Sequence, residues 1–417
     1  MGKYVSDVVE KAIEDLYYCY DNSRAEEAAD ALAYAATDTE EEDGDACYFL
    51  ARCFSPKCSN WKYHPFQEND GAVYTMLRKG IFLGSAAAVL GAIRMNMLTE
   101  ELRQIMPFSS IRDAWQLILE KAEDGCGFCQ YMIGNTYYYL DIMEIEDRGE
   151  GDFATSDEWE QWKKEQISKS IPWYEKAFEG GMGMAGRNLY LYYHDGRGNF
   201  IEPDPQKAMD VVQKGARLGY PDWMFDLGHE LYYEKNQKEE GLSWIIEAAK
   251  QGHLEGWAIA GDAYCYGEGA DQDLPYALEC YEKAASAGGD PYALSRAGEM
   301  YFQGLGAEQD YAKAVKYLEQ SYILQKEEAA NTDMLGMCYL LGYGCSQDAK
   351  RGKMLLEQSL DTKYKNFGLG KMYTEGIGVA EEIERGVSYL KAAGEYGPAK
   401  DALRHYRKKI FGGWKRT

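Results

Sequence analysis

The chemistry open to this chain would have to come from five histidines, ten cysteines and sixty-nine carboxylates. His64, His194, His229, His253 and His405 are scattered. None lies in an HExxH helix, a nucleophile elbow or a glycine-rich phosphate loop. Carboxylates are so abundant that neighbouring pairs arise by chance. Cys126-Gly-Phe-Cys129 is a Cys-x-x-Cys pair, but it opens the helix-like run YMIGNTYYYL with no strand beside it. A zinc site would need a second such pair, and a thioredoxin-like site would need a βαβ context. The pair reads as small buried helix residues, with metal or redox chemistry as the alternative. Cys47, Cys53 and Cys58 lack tight ligand spacing too. No catalytic, cofactor-binding or metal-ligating set is expected, and the chain does not read as an enzyme.

Glycine-x-glycine triplets resemble fragments of a nucleotide loop, yet they recur as the ends of apolar runs: GEG at Gly267/Gly269, GLG at Gly304/Gly306, GYG at Gly342/Gly344 and GIG at Gly376/Gly378. The stretch Trp257–Tyr311 shows the period. Ala260-Gly261, Tyr264, Gly267/Gly269 and Asp273 return 37 residues later as Ala297-Gly298, Tyr301, Gly304/Gly306 and Asp310. A fixed period of this size marks a stacked repeat array, in which neither helix of a unit buries its apolar stripe alone. Glycine in the first helix lets another helix approach closely. The tyrosine three residues on shares that face; it is expected to fill the space beside the gap and to send its hydroxyl to a partner. The triplet ends the helix with positive-φ glycine, and the acidic residue after it caps the next helix.

The elements that position these residues follow from apolar periodicity. Helices are expected over Tyr4–Tyr20, Arg24–Ala36 and Ala46–Phe54. The acidic stretch Asp38–Asp45 lacks EF-hand spacing and reads as a solvated turn, with a cation site as the alternative. Ser55–Asn69 breaks the pattern and carries Cys58, Trp61, His64 and Pro65. Helices resume at Asp70–Leu83, Ser85–Met97 and Ser110–Glu123. Asp141–Gln166 is the longest interruption. It reads as a solvated loop running into a lengthened second helix, or as a binding loop on one face. A last helix over Tyr396–Ile410 is expected to cap the array. Its basic tail from Arg404 would offset the helix dipole, with an RNA- or acid-binding tail as the alternative. Residues 1–169 thus form degenerate repeats with insertions at 55–69 and 141–166. Residues 170–394 form regular repeats, and 395–417 a cap with a basic tail.

Net charge is −24 with an isoelectric point near 4.7. Nucleic acid and anionic membrane both require a basic footprint, so neither is expected as the main partner. The first residues show no apolar leader, no run is long enough to span a bilayer, and no cysteine spacing recurs with the repeat. A cytoplasmic chain with free thiols is expected. Gly2 and Ser6 match the short acylation pattern Met-Gly-x-x-x-Ser.

The repeated residues resemble the Sel-one-like repeat family, a relative of the tetratricopeptide repeat. The resemblance rests on Ala260-Gly261/Tyr264/Gly267/Gly269 with Asp273/Ala277/Tyr281/Lys283/Ala284/Ala285/Gly288. Gly298/Tyr301/Gly304/Gly306 with Lys313/Ala314/Tyr317 continues it. So do Leu335-Gly336/Tyr339/Gly342/Gly344, Leu369-Gly370/Tyr373/Gly376/Gly378 and Trp173-Tyr174/Lys176/Ala177/Gly180. It is strong from about Ser170 to Gly394 and weak before. What it implies is an all-α, right-handed superhelical solenoid of roughly ten antiparallel helix pairs. First helices would line a concave groove that holds a peptide or protein, and no cofactor would be needed. A secreted, disulfide-bonded branch linked to β-lactam binding is disfavoured by the missing regular Cys pairs. By family register the groove would present Phe128, Tyr131, Asn135, Arg187, His229, Asp262, Tyr292, Glu299, Asp333 and Lys371. Aromatics beside acids would suit a basic, partly apolar partner. The alternative reading is an acidic inhibitor or immunity-type protein that neutralises a cationic toxin or nuclease, with the loops Asp38–Asp45 and Asp141–Glu160 standing in for phosphate.

Overall fold

The computed structural model describes residues 4–17, 22–37, 42–55, 66–197, 200–325, 330–409 and 412–417. The expected features at Gly2, Cys58, Trp61, His64 and Pro65, and the first part of the Asp38–Asp45 stretch, lie outside the described residues. The secondary structure is almost wholly helical, and the chain divides into two compact units, Met1–Leu227 and Gly228–Thr417.

In the first unit the helices are α1 (Asp7–Tyr17), α2 (Asn22–Thr37), α3 (Gly44–Cys53), α4 (Asp70–Phe82), α5 (Ala86–Arg94), α6 (Glu100–Ile105) and α7 (Ile111–Glu123). They continue as α8 (Gly127–Tyr138), α9 (Ile142–Glu146), α10 (Ser156–Glu179), α11 (Gly183–Asp195), α12 (Pro205–Arg217) and α13 (Pro221–His229). They pack as pairs: α1 on α2, α3 on α4, α5 on α7, α8 on α10 and α11 on α12. Side-chain caps set many starts. Asp43, Asn69, Ser85, Ser110, Thr155 and Asp204 each accept from a backbone N–H in the first turn of the helix that follows. The Asp141–Gln166 interruption is far less loop-like than a solvated insertion. It holds α9, a 3₁₀ turn at Glu150–Asp152 and the first turns of the 24-residue α10. A ring cluster explains the order: Phe153 lies 5.1 Å from Trp159 and 5.5 Å from Trp162, and the Arg148 guanidinium covers Phe153 at 4.8 Å.

The second unit begins with a π-helical turn (Glu230–Glu234) against α14 (Lys238–Lys250). The regular pairs follow: α15 (Gly256–Tyr266) on α16 (Leu274–Gly288), α17 (Pro291–Gln303) on α18 (Tyr311–Gln325), α19 (Thr332–Leu341) on α20 (Ala349–Gln358) and α21 (Lys363–Glu375) on α22 (Ile383–Ala392). The end cap differs from the expected single helix. After the short α23 (Gly397–Leu403) the chain turns at Gly412 and Gly413, both at positive φ. Strand β1 (Tyr406–Lys408) then pairs antiparallel with β2 (Trp414–Arg416). The hairpin is pinned to the last pair. Trp414 N–H donates to Glu384 at 2.8 Å, Arg416 donates to the Thr374 carbonyl at 3.1 Å, and Lys391 sits 4.1 Å over the Trp414 ring. The basic tail therefore spends part of its charge on packing rather than on a helix dipole.

In four of the pairs a glycine of the first helix is a docking point for its own second helix. Gly134 receives Tyr174, Gly261 receives Tyr281, Gly298 receives Leu318 and Gly370 receives Leu390. A Cβ at any of the four would lie 2.6–2.7 Å from the incoming side chain. Tyr174 and Tyr281 are thereby fully buried, and a fully buried large side chain contributes about 2–3 kcal/mol. The ring over Gly261 is not Tyr264, as the same-face spacing suggested. Tyr264 meets Tyr276 edge-on at 4.6 Å instead. A side chain three residues along the same helix cannot bend down onto its own backbone, whereas one from the facing helix points straight at it.

The tyrosine after the glycine bonds neighbouring pairs together. Tyr301 donates to Glu282 on α16 at 2.8 Å, and Tyr339 donates to Glu319 on α18 at 2.5 Å, each time the second helix of the preceding pair. The triplet glycines divide their work. Gly304 ends α17 at φ 72° with its N–H on the Met300 carbonyl. Gly306, at φ 76°, brings its backbone against the start of α16, where a Cβ would lie 2.4 Å from the Leu274 carbonyl oxygen. Gln272, Gln309 and Gln347, which the sequence pattern did not single out, each donate to a carbonyl in the last turn of the preceding first helix at 2.7–2.9 Å. Asp273 and Asp310 then accept from first-turn N–H groups of the second helices, as expected, and Asp348 does the same.

Gly306→Ala combines left-handed strain with a backbone clash and should cost about 2–4 kcal/mol. Gly289→Ala, at φ 65° with no atom within 4 Å of the new Cβ, should cost only about 1–2 kcal/mol. Denaturant titration of both variants checks the gap, and equal losses would contradict a close-approach role for Gly306. Tyr301→Phe should cost about 0.5–1.5 kcal/mol by the same measurement, because Glu282 keeps its second donor, Tyr317, at 3.0 Å.

Candidate functional site

Of the ten residues assigned to a groove, the structure buries three. Phe128 is 3% exposed and sits 5.1 Å from Phe49 and 6.5 Å from Tyr4. Tyr131 is 9% exposed and faces Tyr174. Asp333 is 5% exposed; it accepts from the Thr362 hydroxyl at the start of α21 and from the Met334 N–H. These side chains serve packing and cannot meet a partner. The family register alone did not reveal that the N-terminal residues and the neighbouring helix starts cover them. Asn135 is half-buried, its carbonyl oxygen accepting from Tyr174 at 2.9 Å and from Asn188 at 3.3 Å. Arg187 is exposed on α11. Lys371 is half-buried and ion-paired with Glu375 one turn on.

In the second unit Asp262, Tyr292 and Glu299 come together through a residue that the pattern passed over, Arg296. Tyr281 and Tyr292 both donate to Asp262 Oδ1, at 2.5 and 2.7 Å. One carboxylate therefore ties the buried ring of its own pair to a surface ring of the next. Arg296 donates to Glu299 at 2.6 Å and to the Tyr266 hydroxyl at 2.9 Å, with a longer 3.4 Å contact to Tyr281. Its guanidinium lies 5.5 Å from the centroids of both the Tyr266 and the Tyr281 ring. The outcome is a pair of fixed aromatic faces in solvent: Tyr266 is 60% exposed and Tyr292 is 45% exposed.

Local sequence explains the placement. Asp290 caps α17 by accepting from the Tyr292 and Ala293 N–H groups, which sets Tyr292 in the first turn. Tyr266 is the last residue of α15, just before the left-handed Gly267. Arg296 stands one period after Ile259, and Tyr266 one period before Gln303. Both are positions that vary between copies, and that variation is the signal that could have found them. His229 is exposed as well, its ring 4.6 Å from the half-exposed Tyr233.

The electrostatics favour holding over proton transfer. Burial pushes the Tyr281 and Tyr292 hydroxyls well above the usual phenol range, and Asp262 as acceptor adds to the effect. Burial alone would lower the Arg296 guanidinium, but its bond to Tyr281 and the charge of Glu299 raise it. These groups keep one protonation state across neutral pH. Among the described residues no group of three or more His, Cys, Asp or Glu side chains is placed to hold a metal ion.

The acidic stretches in the first unit are occupied locally. Asp43 caps α3, Asp45 accepts from Ser85, and burial pushes the Asp45 carboxyl up to about 6. Glu144 pairs with Arg103, Asp152 accepts from Gly149 N–H, and Glu158 accepts from Ala154 N–H.

The family model for the Sel1 repeat matches residues 183–220, 216–253, 258–289, 291–324, 333–361 and 366–397. The chain is similar to the chitin synthase regulator SKT5 of Saccharomyces cerevisiae, at 29% identity over 210 residues. That match covers 46% of this chain and 30% of the yeast protein, so it spans less than a third of that relative's length. Among solved structures, a Sel1 repeat protein from Oxalobacter formigenes matches at 23% identity and a TM-score of 0.44, over 79% of this chain and 89% of that one. A protective antigen of uropathogenic Escherichia coli with an SLR fold matches at 17% identity and a TM-score of 0.44, over 92% of this chain and 75% of its own. The six matched repeats fall on the successive helix pairs from α11 to α22. Residues 183–397 thus carry six Sel1 repeats built as helix pairs, a repeat whose proteins generally mediate protein–protein interaction.

Proposed function

We propose that the chain is a non-catalytic scaffold whose second unit binds a protein partner in a groove along its first helices, centred on Tyr266, Tyr292, Asp262, Arg296 and Glu299. The observation that carries this reading is the pair of exposed tyrosine rings held in place by Asp262 and Arg296. Fixed tyrosines lose little conformational entropy on binding and are enriched among residues that dominate interface energy. The net charge of −24 favours a basic, partly apolar segment, because complementary charge speeds encounter and selects partners. The same charge speaks against nucleic acid and anionic lipid. We place the protein in a reducing compartment, the cytoplasm, on the eight free cysteines among the described residues.

The test is quantitative binding to a partner captured from native lysate and then purified. Tyr292→Ala and Tyr266→Ala should each weaken affinity about tenfold or more, as expected of an interface anchor, with the helical circular dichroism and melting temperature of the parent. Leu360→Ala, at an 84% exposed position on the turn before α21, should leave affinity unchanged. Affinity should also fall as salt is raised. Equal affinity for all three variants would refute this site, and turnover of a substrate by the purified chain would refute the scaffold reading itself.

A further inference from the structure

The scaffold reading leaves one reactive cluster unused. Cys126 is the N-cap of α8, and Cys129 is its third residue. Residues so spaced at a helix start have Cα atoms about 5–6 Å apart, inside the span that a disulfide bridges. Cys126 lines a cavity of about 540 Å³ whose wall includes Tyr4, Glu10, Gly125, Met182 and Tyr220, whereas Cys129 is fully buried.

The environments of the two sulfurs are opposite. The Cys129 thiol close by, helped by the polar backbone of the helix start, holds Cys126 down to about 6 against the effect of burial. Cys126 beside it, followed by burial, pushes Cys129 far up. Burial pushes Cys47 up to about 11, and Cys280 and Cys338 up to about 12. Oxidation follows thiolate character and access, and a nearby second thiol traps the first product.

We propose that Cys126 and Cys129 form a dithiol–disulfide site oxidised by small hydroperoxides, with Cys126 as the attacking thiolate and Cys129 as the resolving thiol. The Cys126 thiolate attacks one peroxide oxygen, the O–O bond breaks, and the second oxygen leaves as hydroxide, or as alkoxide from an alkyl hydroperoxide. Cys126 is now a sulfenic acid. The Cys129 sulfur then attacks the Cys126 sulfur, the S–O bond breaks, and the hydroxyl leaves as water with the Cys129 proton. Two thiols are oxidised and one peroxide is reduced. The cavity supplies the approach to Cys126, and the positive end of the helix dipole favours negative charge at its N-terminus.

Hydrogen peroxide at equimolar dose, applied to the full chain, is the probe. Remaining thiols are alkylated under denaturing conditions and tryptic peptides are weighed. Both cysteines fall in one peptide, residues 122–148, which contains no other cysteine. That peptide should lose two hydrogens and resist alkylation, about tenfold faster than any other thiol is consumed. Cys129→Ser should stop at a dimedone-reactive sulfenic acid on Cys126, and Cys126→Ser should leave Cys129 reduced, both with parental circular dichroism. A parent peptide that stays doubly alkylatable while other thiols oxidise would overturn the proposal. So would dimedone labelling of Cys129 in the Cys126→Ser chain at the rate seen for Cys126.

Discussion

The structure depends on one contact: a side chain of the second helix seated on a bare glycine of the first. Gly261 under Tyr281 and Gly134 under Tyr174 let two helices approach to the point where an aromatic ring touches backbone. Any Cβ there would force the pair apart, and the ring would lose its burial. The contact also orders the surface. Tyr281 is buried against Gly261, yet its hydroxyl reaches Asp262, the next residue, which is partly exposed. Asp262 in turn holds Tyr292 of the next pair. Packing inside one pair thus fixes an aromatic side chain on its neighbour.

This coupling explains why the aromatic content of the chain does not by itself indicate binding. Most tyrosines serve as mortar. Tyr301 and Tyr339 join pairs through Glu282 and Glu319, and Tyr373 stacks on Tyr389 at 5.9 Å under the Arg385 guanidinium. Tyr266 and Tyr292 differ in using their hydroxyls to hold an exposed ring steady. Specificity in such an array resides where one copy departs from the next, as Arg296 does from Ile259.

Much of the fold was legible because period and punctuation agree. Glycine triplets, acidic caps and apolar stripes located the pairs from Ser170 onward, including Asp273 and Asp310 as caps. Three features were not legible, each for a physical reason. The end hairpin arises from Gly412 and Gly413 at positive φ inside a basic run that continues a helical pattern. The order in Asp141–Gln166 comes from Phe153, Trp159 and Trp162 meeting across a turn. The burial of Phe128, Tyr131 and Asp333 comes from residues distant in sequence, Phe49, Tyr174 and Thr362. The candidate site was half legible. Asp262, Tyr292 and Glu299 were found from repeat register, while Arg296 and Tyr266 matter only through contacts between helix pairs that one unit cannot display.

The central claim is that a partner is held on the first helices of the second unit. Amide hydrogen exchange of the full chain, with and without its purified partner, reads this directly. The account predicts added protection concentrated in Gly256–Tyr266 and Pro291–Gln303, with the second helices Leu274–Gly288 and Tyr311–Gln325 unchanged. Protection on the second helices, with the first helices unaffected, would contradict it.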